Sequence, residues 1–223
     1  MRRLLTTLSV LALTATAAVA ADLPRQMPAK APAYVPVATY NWTGFYLGIN
    51  GGYGWGRSSW DGFGSGGFNT NGGMIGGTIG YNWQGMGSPW VFGLEGDADW
   101  ASIRGSFTNA ACPTGCETKS SWLATVRGRL GYSFDRVMPY ITGGLAVGDI
   151  QANRPGFAGM SDTRAGWTVG GGIESAIVDR WTAKLEYLYT DLGSSSCSAA
   201  SCGITTNVSA RNNILRAGLN YRF

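Results

Sequence analysis

The sequence predicts an all-β chain: an eight-stranded antiparallel transmembrane β-barrel over residues 42–223. Three observations predict it. Period-two alternation of apolar and polar residues recurs in eight stretches. In seven of the eight stretches the apolar face carries aromatics, and the opposite face carries glycine or charge, which suits lipid outside and a polar lumen inside. The connections alternate long and short, as in barrels with long external loops and short periplasmic turns. A soluble sandwich would show the same alternation in one hairpin, so the repetition carries the inference. Eight strands close without a free edge, and a free edge in lipid leaves backbone groups unpaired.

The chain starts with a basic pair, Arg2-Arg3, an apolar run from Leu4 to Val19, and the small residues Ala18-Val19-Ala20. This reads as a secretory signal peptide over residues 1–20, cleaved after Ala20 or Ala21. An uncleaved anchor is the competing reading, and the apolar run is short for it. Removing Arg2 and Arg3 leaves 15 basic and 13 acidic residues of the 17 and 13 in the whole chain, a net charge of +2. Residues 21–41, with Pro24, Pro28, Pro32 and Pro36, read as an extended periplasmic leader. It is a plain linker or a contact for peptidoglycan.

Strand one is expected from Trp42 to Trp55, with Phe45, Leu47, Ile49 and Tyr53 facing outward. A loop, 56–73, holds Trp60, Phe63 and Phe68. Strand two spans Met74 to Trp83. Strand three, Trp90 to Ser102, puts Trp90, Phe92, Leu94 and Trp100 outward against Glu95, Asp97 and Asp99. A loop, 103–121, leads to strand four, Trp122 to Phe134, with Tyr132 outward and Arg127 and Arg129 inward. Asp135-Arg136 makes a tight turn into strand five, Val137 to Gly148. A loop carrying Phe157 precedes strand six, Arg164 to Val178, with Trp167 outward and Glu174 inward. Asp179-Arg180 repeats the turn. Strand seven, Trp181 to Asp191, turns Tyr187 outward and Lys184 and Glu186 inward. After a loop, 192–211, strand eight runs from Ile214 to Phe223, with Tyr221 outward and Arg216 and Arg222 inward. Arg127-x-x-Leu130-x-Tyr132-x-Phe134 echoes Arg216-x-x-Leu219-x-Tyr221-x-Phe223, by duplication or by equivalent surroundings.

The lumen is thus expected to hold Glu95, Asp97, Asp99, Glu174 and Glu186 with Arg127, Arg129, Lys184, Arg216 and Arg222. An eight-stranded barrel is barely wide enough for its own side chains, which favours a packed ion-pair network. A hydrated pore and an internal ligand are the alternatives. The lipid-face anchors are Phe45, Tyr53, Trp90, Phe92, Trp100, Trp122, Tyr132, Phe134, Trp167, Trp181, Tyr187, Tyr221 and Phe223. Cys112, Cys116, Cys197 and Cys202 suggest two local disulfides, although three pairings exist and a four-thiolate zinc site competes. The chain has no histidine, which excludes a Ser-His-Asp site. No catalytic, metal or cofactor residues are assigned, and no basic face suits nucleic acid.

Ala21-Asp22-Leu23, Asn41-Trp42-Thr43-Gly44-Phe45-Tyr46, Gly51-Gly52-Tyr53-Gly54, Phe92-Gly93-Leu94-Glu95-Gly96-Asp97 and the ending Gly218-Leu219-Asn220-Tyr221-Arg222-Phe223 carry a resemblance. The chain resembles the outer membrane immunogenic proteins of alphaproteobacteria, over nearly its whole length. The resemblance implies an OmpA-like barrel, an outer membrane location and a structural, surface or porin-like role, and the alternation of long and short connections sets both mature termini in the periplasm. Some relatives are thought to bind haem, for which this chain lacks the commonest axial ligand. The expected partners are outer membrane lipid and lipopolysaccharide, the outer membrane assembly machinery, and a peptidoglycan or host-surface contact.

Overall fold

The computed structural model describes residues 40–61, 67–110 and 112–223. The expected signal peptide over residues 1–20, residues 21–39 of the expected leader and Phe63 lie outside the described residues. Eight strands follow in order: β1 Gly44–Trp60, β2 Phe68–Gln84, β3 Trp90–Asn109, β4 Cys112–Tyr132, β5 Val137–Asn153, β6 Met160–Val178, β7 Trp181–Cys197 and β8 Thr206–Arg222. One short helix, α1 Ala199–Cys202, precedes β8. Each strand pairs antiparallel with the next, and β1 pairs with β8 from Tyr46↔Arg222 to Trp60↔Val208. The sheet is a closed ring of hydrogen bonds.

The expected fold class needs correction. The expectation is an all-β, OmpA-like, eight-stranded antiparallel transmembrane β-barrel, with strands ending well short of those observed. The established architecture is an eight-stranded antiparallel sheet closed by hydrogen bonds, with strands of 17 to 21 residues and a helix between β7 and β8. The expected loops 56–73, 103–121, 149–163 and 192–211 are mostly strand. Their alternation continues, but in serine, threonine, asparagine and glycine, which give little hydrophobic contrast.

The alternation also changes sense along the strands. In the lower part of β8, Leu215, Ala217 and Leu219 are exposed while Arg216 and Asn220 are buried. Higher up, Val208, Ala210 and Ile214 are buried while Asn207 and Arg211 are exposed. The upper interior is accordingly an apolar core that includes Trp60, Met74, Leu123, Ile150, Leu188 and Leu192 with all four cysteines. An apolar exterior over a charged interior suits lipid. A polar exterior over an apolar interior suits water. From Phe45 to Trp55 the strand advances ~33 Å at about 3.3 Å per residue, and a tilt of about 40° brings the height to ~25 Å, the thickness of a lipid-facing band.

The lower end has short connections. Asp135 and Asp179 adopt positive φ (56° and 45°) at the two Asp-Arg turns, a conformation that aspartate tolerates better than branched residues. Trp42 is 1% exposed and seals this end with Val91, Met138 and Ala176. Its Nε1 donates to Ser133 Oγ at 3.0 Å and to the Asp135 carbonyl at 3.1 Å, and its backbone N–H donates to Gln84 Oε1 at 2.9 Å. Tyr40 N–H donates to Asp135 Oδ1 at 2.9 Å. Tyr40, read as leader from sequence, is therefore tied to the turns.

Candidate functional site: the buried charge cluster

The interior parity of β3, β4, β6, β7 and β8 brings nine charged side chains together, each 5% exposed or less: Glu95, Asp97, Asp99, Arg127, Arg129, Glu174, Lys184, Glu186 and Arg216. Neighbouring registers set the pairs. Glu95 lies opposite Arg127, Glu186 opposite Arg216, and Glu174 opposite Lys184. Arg127 forms ion pairs with Glu95, with Asp97 at 2.7 Å and with Glu186 at 2.9 Å. Arg216 reaches Asp97 and Asp99 at 2.9 Å each and Glu186 at 2.8 Å. Lys184 Nζ lies 3.0 Å from Glu95, and Arg129 Nη2 lies 2.6 Å from Glu174. Shared partners offset the desolvation that an isolated buried charge would suffer.

Arg222 stands apart from this cluster. It pairs across the sheet with Tyr46 at the lower rim, its guanidinium lies 4.5 Å from the Tyr40 ring centroid, and its Nη1 donates to the Asn41 carbonyl. Five carboxylates therefore face four cations inside. Asp99 and Glu174 each make a single ion pair, to Arg216 and Arg129, and Glu174 also accepts from Thr182 and Asn220.

Several uncharged participants were not singled out from sequence. Tyr46 donates to Glu95 at 2.7 Å and Tyr140 donates to Glu186 at 3.0 Å. Thr182 and Asn220 donate to Glu174, and Thr78 and Thr125 to Asp97. Inward parity was the available signal. What the sequence could not show is that Gly80 leaves room for the Tyr46 ring: a Cβ there would sit 2.4 Å from it. Asp149 was also missed. It is buried, and its Oδ1 accepts from the backbone of Ser121 and Trp122 where the β4–β5 register shifts.

Of the aromatic residues named as lipid anchors, Phe45, Tyr53, Trp90, Phe92, Trp100, Tyr132, Phe134, Trp167, Trp181, Tyr187 and Phe223 are exposed, and Trp122 and Tyr221 are half-buried. They lie at two levels, with Trp181–Tyr221 ring contacts at 5.2 Å below and Trp55–Tyr187 at 6.4 Å above. Trp60, expected in a loop, belongs to a strand. It is buried at the top of β1 and donates to Thr118 Oγ1 at 3.0 Å. Phe68 packs against the same core, and Phe157 is exposed. Cys112–Cys116 and Cys197–Cys202 are disulfides, which rules out the four-thiolate site.

Outside the lipid-facing band, the hydrogen bond from Ser195, aided by Arg164, holds the Asp162 carboxyl below its ordinary range. Burial pushes the Tyr40 hydroxyl up.

Residues 6–223 match the family described as outer membrane protein beta-barrel domain. The chain is 41% identical to the 31 kDa outer-membrane immunogenic protein of Brucella melitensis over 236 residues, covering 96% of this chain and 97% of the relative. It is 32% identical to the 25 kDa outer-membrane immunogenic protein of Brucella canis, covering 96% and 94%. The chain belongs to this family of outer-membrane immunogenic proteins. Among solved structures it is similar to the outer membrane protein OprG of Pseudomonas aeruginosa, with 13% identity, TM-score 0.50, and coverage of 82% of this chain and 99% of that one, a likeness of fold alone. Family membership places the protein in the outer membrane, in the context of its lipids and assembly.

Proposed function

We propose that the protein is an integral, non-conducting component of the outer membrane. Its strands cross the bilayer as a filled wall and its upper storey presents a surface to the outside. The mature N-terminus and Phe223 then lie on the periplasmic side, with the three short connections. One observation carries this reading: side chains fill the interior at three successive levels. Trp42, Val91, Met138 and Ala176 close the lower end. The nine paired charges fill the middle. The apolar core with both disulfides fills the top. The ten lumen charges named from sequence, less Arg222, act on this reading as a stabilising network, and the exposed aromatics act as lipid anchors. On this reading solute has no path through the wall, and the protein's outward role falls to the upper storey.

Planar-bilayer recording tests it, using protein shown to be folded by its heat-dependent gel shift. Folded protein is expected to give no unitary steps. Reproducible steps whose size changes in Arg127→Gln or Arg216→Gln would establish a small pore and overturn the filled-wall reading.

A further inference from the structure

We propose a site for the phosphate of an outer-leaflet glycolipid on the outer face of the sheet, centred on Arg57 and Arg211. The proposal rests on the membrane reading above, which sets the upper storey outside the cell.

Arg57 on β1 and Arg211 on β8 are direct register partners, and both side chains are exposed. Like charges placed opposite each other across a strand pair repel. Arg211 is partly compensated by Asp191, 3.1 Å from its Nε. Arg57 has no ion-pair partner among the described residues. The row continues sideways. Asn69 is opposite Arg57, Asn71 is opposite Arg104, and Arg104 is opposite Lys119. Arg104 likewise has no ion pair among the described residues. The interior arginines, by contrast, are all matched by carboxylates. The exterior row is a positive strip that the fold does not neutralise.

Its level identifies the ligand. Along β1 the next outward side chain below Arg57 is Trp55, and beneath it runs the apolar band. Asn213 sits between the two levels, accepting from the Tyr187 hydroxyl at 2.6 Å and donating to the Trp55 carbonyl at 3.3 Å. Trp55, Arg57, Asn69, Tyr189, Arg211 and Asn213 line a depression of about 530 Å³. Guanidinium groups bind phosphate in pairs of parallel hydrogen bonds. The asparagine amides can serve sugar hydroxyls, and the band below accepts acyl chains. Phosphate, sugar and acyl chain meet at this height in a phosphorylated glycolipid.

The test uses the full chain folded in neutral phosphatidylcholine bicelles, titrated with diphosphorylated lipid A and with its dephosphorylated form, and read by native mass spectrometry after release. Heat-dependent gel shift and protease protection are recorded on the same samples, so a failure to insert, which would sink the membrane reading, is distinguishable from a failure to bind. The expected result is at least tenfold preference for the phosphorylated lipid. That preference should be lost in Arg57→Gln/Arg211→Gln and kept in Arg164→Gln, whose charge lies on β6. An inserted protein that retains both lipids equally would overturn the site, as would an unchanged preference in the double variant. Displacement by millimolar inorganic phosphate would also overturn it, since the anion alone would then suffice.

Discussion

Arg127 reaches Glu95, Asp97 and Glu186 on two other strands, while Asp99 makes one ion pair, to Arg216. Their substitutions should therefore differ. Arg127→Met leaves five buried carboxylates with three cations, Glu95, Asp97 and Glu186 each losing a partner, and is expected to destabilise by about 3–5 kcal/mol. Asp99→Asn removes the excess charge of an interior in which carboxylates outnumber cations, and should stay within about 1 kcal/mol of the parent. Urea unfolding in detergent, followed by the heat-dependent gel shift, compares them, and equal midpoints would refute the unequal sharing described for the cluster. Inward parity made nine of these charges legible in the sequence. It misplaced Arg222, because parity gives a face and not a height. At the last residues of β8 the inward direction opens onto the rim, where Tyr40 and Asn41 are nearer than any carboxylate.

At the scale of elements, the upper ends of β6 and β7 are fastened by polar side chains. Ser195 donates to Asp162, and Arg164 Nε lies 2.8 Å from the same carboxylate. The Asp162 carboxyl is held below its ordinary range by these contacts. A depressed folded value means that the carboxylate form favours the folded arrangement. The contribution is present above the unfolded value and is lost as pH falls through the folded one. Acidification below the ordinary carboxylate range should thus raise amide exchange at residues 161–164, and Asp162→Asn should make exchange there independent of pH in that window. The same exchange profile in both proteins would dismiss the fastening. These strand ends were read as loops because their side chains are short and polar. Only cross-strand partners, such as Ser194↔Ser209 and Asp149↔Thr163, make them strand.

At the scale of the molecule, two storeys share one sheet. Leu94 stands on the outer face of the lower storey and Thr108 on that of the upper, both on β3. Leu94→Arg should cost roughly 2–4 kcal/mol of folding into lipid, since arginine is expensive in the hydrocarbon band. Thr108→Arg should change it by no more than about 0.5 kcal/mol. Folding titrations into phosphatidylcholine vesicles measure both, and similar costs would mean that the apolar band does not end where the aromatic residues place it. The sequence by itself determined the eight alternating segments, the side of each that is apolar, the Asp-Arg turns and the family. Those properties are local and repeat along the chain. Only the tertiary structure decided the closure of β1 on β8, the reach of the strands beyond the band, and the change of the interior from charged below to apolar above. It also decided the pairing of the charges and the sealing of the lower end by Trp42. Each of these depends on what stands opposite a residue across the sheet, and period-two alternation is the same whichever side faces water.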